Sequence, residues 1–175
     1  MKKKICRLLY YHFAIFLPST SSILWGWVSL KIRQLLCKQI FEYCGKNVNI
    51  EKGASFGTGD KIRIGDHSGL GIDCHIPNGS IIGDNVMMGP NCYVFERNHN
   101  YSKVDVPMRL QGNSEYKPVH IEDDVWIGRN VTIMVGRHLK KGSIVAACSV
   151  VTKDFPEYSI IGGNPAKLIK NRKAN

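Results

Sequence analysis

One histidine of this chain lies in a setting suited to acid–base chemistry. His99 stands in the stretch Arg97-Asn98-His99-Asn100-Tyr101. A hydroxyl group is a poor nucleophile at neutral pH until a base takes its proton, and histidine is the side chain that can accept and return a proton there. His99 is therefore our candidate general base.

Lysines in the last quarter of the chain could bind an anionic ligand. Lys153 follows Thr152, and Lys167 and Lys170 lie closer to the C-terminus. An ammonium group is a competent point charge for phosphate, although a solvated surface also carries such residues. The formal net charge of +10 likewise favours nucleic acid, a membrane surface or a phosphorylated ligand. Nucleic acid has only this charge in its favour, because aromatic and basic residues are not interleaved.

A strict six-residue repeat positions these groups. Apolar or small residues come in pairs two apart, which is the spacing of a short strand with one buried face. Glycine, asparagine and aspartate between the pairs favour tight turns. The pairs predicted to face inward are Val48/Ile50, Ala54/Phe56, Ile62/Ile64, Ser68/Leu70, Cys74/Ile76, Ser80/Ile82, Val86/Met88, Cys92/Val94, Val119/Ile121, Val125/Ile127, Val131/Ile133, Arg137/Leu139, Ser143/Val145 and Ser149/Val151.

This repeat predicts an all-β fold, a parallel β-helix over residues 48–175. Hexapeptide repeats are a β-helix signature, and stacked coils bury a core that no single coil could bury. A sandwich would instead show turn signals every 8–12 residues or so. Trp126 falls in the outward phase, and an exposed tryptophan on such a face suggests that another surface covers it. Packing between subunits is the alternative role for this side chain.

The interruptions of the repeat are informative. Two extra residues enter near residues 57–61, and a much longer excursion occupies residues 97–118. A long loop on a rigid scaffold is usually functional. The final stretch, 156–175, leaves the phase, and we expect it to cap the β-helix.

The first 47 residues have a different composition. Residues 2–17 imitate a signal peptide, but Arg7 and His12 interrupt an apolar run that is also too short to span a bilayer. A second stretch, 23–43, carries apolar residues at helical spacing with Lys31 and Arg33 among the residues between them. The apolar set is Leu24, Trp27, Val28, Ile32, Leu35, Leu36 and Ile40.

Segment 1–47 is thus expected to form two amphipathic helices, for which two placements stay open. The helices could pack on the rest of the protein, or they could rest on a membrane surface as a basic amphipathic pair. The cysteines show no C-x-x-C spacing, and Cys74 and Cys92 fall at inward positions. They are typical of reduced thiols in a cytoplasmic protein, which could be peripheral at the inner face of the membrane.

Several segments together resemble one enzyme family. They stand in the order and approximate spacing of the galactoside, maltose and xenobiotic O-acetyltransferases, and the resemblance covers about residues 48–170. The stretch Pro107-Met108…Gln111-Gly112 is most similar to the branch of capsule, exopolysaccharide or lipopolysaccharide biosynthesis. The segments are Asn98-His99, Glu115-Tyr116-x-Pro118-Val119, Val125-Trp126-Ile127-Gly128, Val150-Val151-Thr152-Lys153-Asp154 and Gly162-Gly163-Asn164-Pro165-Ala166-Lys167.

The resemblance implies a left-handed β-helix of triangular coils and an enzyme that moves acetyl from acetyl-CoA to a sugar or glycan hydroxyl, without a metal. By resemblance His99 would deprotonate the acceptor, and Trp126 would lie against the pantetheine–acetyl end of CoA. A homotrimer with active sites between subunits is also implied. The remaining CoA-binding positions by resemblance are Arg129, Ala147, Thr152, Lys153, Lys167 and Lys170.

One position departs from the family pattern. Arg137 occupies a nominally inward site, where an unpaired guanidinium would be costly, so its side chain either reaches outward or distorts that edge. A sugar N-acyltransferase of the same fold and a non-catalytic hexapeptide-repeat scaffold remain the alternative functions. The histidines lack the spacing of a three-histidine zinc site, which argues against a carbonic anhydrase of this fold.

Overall fold

The computed structural model describes residues 1–174, which form two helices followed by a stack of short strands. The helices are α1 (Lys2–His12) and α2 (Gly26–Ile40), with short 3-10 turns at Ala14–Phe16 and Met108–Leu110. The strands are β1 (Tyr43–Cys44), β2 (Asn49–Ile50), β3 (Arg63–Ile64), β4 (Gly69–Leu70), β5 (Ile81–Ile82), β6 (Met87–Met88), β7 (Tyr93–Val94), β8 (His120–Ile121), β9 (Trp126–Ile127), β10 (Thr132–Ile133), β11 (His138–Leu139), β12 (Ile144–Val145), β13 (Val150–Val151), β14 (Ser159–Gly162) and β15 (Lys167–Asn171).

The strands stack into a three-sided prism. The first face carries β1-β3-β5-β8-β11, and the second carries β2-β4 and then β6-β9-β12-β14-β15. The third face carries β7-β10-β13, preceded by bridges that link Ser55, His75 and Tyr93. Pairing is parallel throughout these faces except between β14 and β15, which run antiparallel. The predicted fold, a parallel β-helix, is therefore confirmed, and its first strand, β1, lies within the segment 1–47 that was expected to be helical.

The inward pairs form the core as the repeat predicts. Every residue of those pairs is buried except Arg137. Arg137 turns its guanidinium outward: Nε donates to the Val135 carbonyl oxygen at 3.1 Å, and Nη1 donates to the Thr152 carbonyl oxygen at 3.2 Å. Asp154 lies 3.6 Å from the same nitrogen. The side chain thus leaves the core and pairs its charge at the surface.

Aspartates link successive coils at the corner between the first and second faces. Asp66 Oδ1 accepts from the amide of Lys46 at 2.8 Å, and Asp84 Oδ1 accepts from the amide of Asp66 at 2.7 Å. Asp123 Oδ1 continues the series on the amide of Asp84 at 2.9 Å. These bonds satisfy backbone donors that the turns leave free of strand pairing.

The helices cover the N-terminal end of the prism through polar side chains. The coil at either end of a β-helix has backbone groups with no further strand to bond. Arg33 Nε donates to the Ile50 carbonyl oxygen at 2.6 Å, and Gln34 Nε2 donates to that of Val48 at 2.6 Å. Tyr10 Oη donates to the Ala54 carbonyl oxygen at 2.7 Å. The helical segment therefore packs on the rest of the protein, which is the first of the two placements left open by the sequence.

The buried side of α2 does not coincide with its apolar residues. Its buried residues include Ser29, Arg33 and Cys37, whereas Trp27 and Leu35 are 70% and 66% exposed. The physical reason is the surface that the helix meets: an edge of open carbonyl groups selects donors rather than apolar side chains. The periodicity predicted a helix, but its apolar residues did not identify the buried side.

Candidate active site

A two-limbed arm, residues 97–118, carries the candidate base. Its limbs are joined by hydrogen bonds, such as Ser114 N to Asn98 O at 2.7 Å and Asn100 N to Gly112 O at 3.0 Å. His99 forms an antiparallel bridge with Asn113 in this stem, and its side chain is exposed. The candidate base is thus held by a hydrogen-bonded stem rather than by a free loop.

The arm leaves the prism at the corner between the third and first faces. At its root Lys117 N donates to Glu96 O at 3.1 Å, and Gly136 N donates to Lys117 O at 3.1 Å. Tyr116 Oη donates to the Asn78 carbonyl oxygen of the coil before. These contacts fix the arm to three successive coils at one corner.

Thr152 and Lys153 lie at the same corner, farther along the prism. They follow β13 directly, and the coils stack there through Phe95 N to Ile133 O and Met134 N to Val151 O, at 2.9 and 3.0 Å. Both side chains are exposed. The structure therefore places the arm that carries His99 and the Thr152-Lys153 pair on one edge of the prism.

Trp126 lies on the second face. Its register neighbours are Met87 on β6 and Ile144 on β12, and its side chain is 50% exposed. Lys167 and Lys170 are exposed on β15, where they pair with Gly162 and Ile160 of the same sheet. The half-exposed tryptophan and the two lysines thus share one face.

Arg129 and Ala147 lie at the corner that joins the second face to the third. The amide of Cys148 donates to Arg129 O at 2.9 Å, which stacks the two turns. A Cβ on Gly128 would lie 2.6 Å from the Ala147 nitrogen, so the close approach of these turns requires glycine there. Arg129 and Ala147 are exposed beside the second face.

The predicted site residues therefore form two groups on opposite sides of one subunit. In a triangular cross-section, the corner between the third and first faces is opposite the second face. The second-face group consists of Trp126, Arg129, Ala147, Lys167 and Lys170, and the corner group consists of His99, Thr152 and Lys153. One subunit alone does not bring the two groups together.

A groove opens on the second face beside β6, the strand that pairs with the β9 strand of Trp126. Its volume is about 360 Å³. Gly69 provides an outward position without a side chain between Asn49 and Met87, which leaves the space open. Other residues at its edge include Glu51 and His67. Its polar groups could receive the hydroxyls of a small ligand.

Two polar side chains at the edge of this groove differ in how their oxygens are hydrogen-bonded. Asn49 Oδ1 is buried without a hydrogen-bond partner among the described residues. Burial opposes the charge of Glu51, but hydrogen bonds from the hydroxyl and amide of Thr20 and from Asn49 outweigh it and keep the pKa of this carboxyl below its usual value. Glu51 is therefore ionised at neutral pH, and both of its oxygens accept hydrogen bonds from the chain itself.

Comparison with known proteins identifies the repeat. Residues 61–96 match the family described as bacterial transferase hexapeptide (six repeats), and residues 118–153 match the hexapeptide repeat of succinyl-transferase. The galactoside O-acetyltransferase of Escherichia coli is 31% identical over 140 residues, which cover 79% of this chain and 68% of that protein.

Solved structures agree. A galactoside acetyltransferase in complex with coenzyme A superposes with a TM-score of 0.78 at 28% identity, covering 97% of this chain and 80% of that one. A hexapeptide-repeat acetyltransferase of Vibrio cholerae complexed with acetyl coenzyme A gives a TM-score of 0.75 at 30% identity, covering 98% and 86%. The chain belongs to the hexapeptide-repeat acetyltransferases.

As a hexapeptide-repeat acetyltransferase, the protein is an acyltransferase. The two solved relatives hold coenzyme A and acetyl coenzyme A, respectively. Its triangular coil is the left-handed parallel β-helix that the resemblance implied. Within residues 1–174, no three histidine, cysteine or acidic side chains lie close enough to hold a metal ion.

Sequence reasoning missed the groove of this acetyltransferase. Asn49, Gly69 and Met87 stand at outward positions of their hexads, in register on neighbouring strands. A glycine at an outward position, flanked by larger residues one coil away on either side, is the signal that could have found it. The unpaired oxygen of Asn49 could not be read from the sequence, because it depends on the packing of α2 above it.

Proposed function

We propose that this protein is an acetyl-CoA-dependent O-acetyltransferase that acts on a sugar or glycan hydroxyl at a site between subunits of a homotrimer. The observation that carries the proposal is the separation of the two groups of site residues within one subunit. Rotational symmetry removes that separation, because the corner of one copy can meet the second face of the next. Each of three interfaces then supplies one complete site.

His99 would act as the general base. It would take the proton of the acceptor hydroxyl while the oxygen attacks the thioester carbonyl carbon. The tetrahedral oxyanion would collapse with loss of the CoA thiolate, and the protonated histidine would return its proton to that sulfur. The products are the acetyl ester and free CoA. The position of His99 on a hydrogen-bonded stem supports this role, because a base must be held in place to act.

The second face would hold most of the donor. Trp126 offers a flat apolar surface for the pantetheine–acetyl end, with Arg129 and Ala147 at the adjoining corner. Lys167 and Lys170 on β15 are exposed cations suited to CoA phosphates. Thr152 and Lys153 of the neighbouring subunit would close the other side of the same donor.

The groove beside Met87 would receive the acceptor. Gly69 leaves room there for a ring, and the side chains of Glu51 and His67 stand at its edge. Only β6 separates it from Trp126, so an acceptor there would lie near the acetyl group. Gly69→Leu is expected to raise KM for the acceptor at least about tenfold, with KM for acetyl-CoA little changed.

We place the reaction in the cytoplasm and in surface polysaccharide biosynthesis. Support for the pathway is the Pro107-Met108…Gln111-Gly112 stretch of the arm, and support for the compartment is the exposed free thiol of Cys148. A panel of hydroxyl and amino sugars tests the acceptor. Transfer to amino sugars alone would replace this proposal with a sugar N-acyltransferase.

The catalytic role of His99 has a direct test. His99→Ala should lower kcat by about 10²–10⁴-fold on an acceptor that the wild type uses. His120→Ala, which removes an exposed histidine of the first face, is the matched control and should keep wild-type turnover. Unchanged turnover in His99→Ala would refute the base and leave the scaffold alternative.

Mixed trimers test the site between subunits. Trp126→Ala and His99→Ala chains should each be weakly active alone. Refolded together in equal amounts, they should recover roughly a quarter of wild-type activity, because one interface in four pairs an intact second face with an intact histidine. No recovery in confirmed mixed trimers would place both residues of a site on one chain.

A further inference from the structure

The N-terminal segment concentrates the positive charge of the molecule. Residues 1–41 contain seven lysine or arginine residues and no aspartate or glutamate, while the whole chain has a formal net charge of +10. Arg33 is buried, and Lys3 pairs with Asp60 of the β-helix. The exposed lysines that remain are Lys2, Lys4, Lys31 and Lys38.

The same segment turns its apolar side chains outward. On α1, Ile5, Leu8 and Leu9 are each about half exposed, whereas Tyr10 is fully buried. The segment between the two helices adds more exposed apolar side chains. The most exposed of them are Phe13, Phe16, Ile23, Leu24 and Trp25, between 53% and 100%.

The outer side of α2 alternates apolar and basic residues along one stripe. Trp27, Lys31, Leu35 and Lys38 follow at intervals of four, four and three, which places them on one side of a helix. The ammonium of Lys31 lies 5.9 Å from the Trp27 ring centre. Such a side offers an apolar surface and positive charge to one partner.

A cavity joins the apolar surface of the segment between the two helices to that of α2. It has a volume of about 360 Å³ and lies between the end of the first helical segment and the start of α2. Its walls are Phe13, Leu17, Pro18, Trp25, Val28, Ser29 and Ile32. An apolar chain could enter this space without meeting a charge.

We propose that the outer side of α1 and α2 is a docking surface for an anionic phospholipid membrane. Exposed tryptophan and leucine would enter the headgroup–acyl boundary, and the lysines would face lipid phosphates. The cavity would take the end of an acyl chain. Within residues 1–174, no helix has the length and hydropathy to cross a bilayer, so the helices would lie along its surface.

A second copy of this chain is a poorer occupant of the same surface. Self-association through it would bring two segments with only positive charges together, which costs electrostatic energy. The polar side of α2 is already used on the β-helix edge. An anionic lipid surface complements both the charge and the apolar character of the outer side.

Vesicle sedimentation of the full chain tests the proposal. The protein should sediment with vesicles that contain phosphatidylglycerol and much less with pure phosphatidylcholine, and high ionic strength should weaken binding. Trp27→Ser/Leu35→Ser should lower the partition coefficient at least about tenfold. Lys31→Glu/Lys38→Glu should lower it by a similar factor on the anionic vesicles only.

Matched controls separate this surface from general stickiness. Lys46→Glu/Lys52→Glu and Tyr43→Ser/Ile81→Ser change exposed residues on the β-helix and should leave partitioning unchanged. Brominated lipid should quench the tryptophan fluorescence of the wild type strongly. The variant Trp25→Phe/Trp27→Phe retains only Trp126, and its fluorescence should be quenched far less. Absence of binding to the anionic vesicles would overturn the proposal. So would a change of oligomeric state, rather than of partitioning, in Trp27→Ser/Leu35→Ser, which would show that a second copy covers this side.

Discussion

The β-helix and the helical segment follow different rules for which side chains are buried. In the β-helix, the alternation of side chains along each strand decides which of them are buried, because every strand has one side facing a closed interior. In α2 the periodicity predicts a helix but not its buried side, since Arg33 faces inward and Trp27 outward. The difference teaches that the surface a helix meets, rather than its own apolar stripe, decides its orientation.

The largest expected effect on stability comes from the apolar contact between the helical segment and the β-helix. Phe56 is fully buried on the first coil, and its ring contacts Tyr10 at 4.6 Å and Phe41 at 4.7 Å between ring centres. Phe56→Ala should lower the free energy of unfolding by about 3–5 kcal/mol in urea titrations. Phe16→Ala, an exposed control, should stay within about 0.5 kcal/mol. Equal effects of the two changes would contradict a shared core.

A smaller loss is expected when the donor on the prism edge is removed. Arg33 also donates to the carbonyl oxygens of Leu17 and Pro18, at 3.2 and 3.0 Å. Arg33→Met keeps volume but leaves buried carbonyl groups without a partner, so unfolding should become easier by about 2–3 kcal/mol. Lys31→Met on the outer side is the control. A stabilised Arg33→Met protein would show that the edge tolerates an apolar cover.

The pH dependence of stability should be a property of the β-helix. Burial lowers the pKa of His75, and burial together with the nearby His138 lowers that of His120. A lowered folded-state pKa means that the unfolded chain binds protons first, so stability is complete above about pH 6.5 and falls as the pH drops below it. In His75→Gln/His120→Gln the denaturation midpoint should depend less steeply on pH across this range. An unchanged slope would assign the effect to other groups.

The smallest effect is expected from the ion pair between the regions. Lys3 Nζ lies 2.6 Å from Asp60 Oδ1, but both side chains are substantially exposed. Lys3→Ala should change the free energy of unfolding by less than about 1 kcal/mol, and salt should reduce the difference further. A loss as large as that of Arg33→Met would mean that charge, rather than backbone hydrogen bonding, holds the segment.

The sequence predicted the part of the molecule that repeats. The hexad phase placed Val125 and Ile127 inside and Trp126 outside, because one phase governs every coil. It also located the arm, because the arm breaks that phase. The groove around Asn49 and the inward side of Arg33 depend on how α2 meets an edge of open carbonyl groups, a contact between distant segments that no local pattern encodes. The roles of His99 and of the donor-binding residues remain predictions.

The closed ends of the prism limit how copies can assemble. At the C-terminal end β15 turns back along β14, and Ala166 N donates to Val150 O at 2.8 Å, so the last coil is covered by chain that is out of phase with the repeat. The helices cover the opposite end. A β-helix with bare ends could add further copies coil upon coil and grow into a fibre. With both ends covered, any association of copies would be directed to the sides, where a ring of finite size would be favoured over a filament.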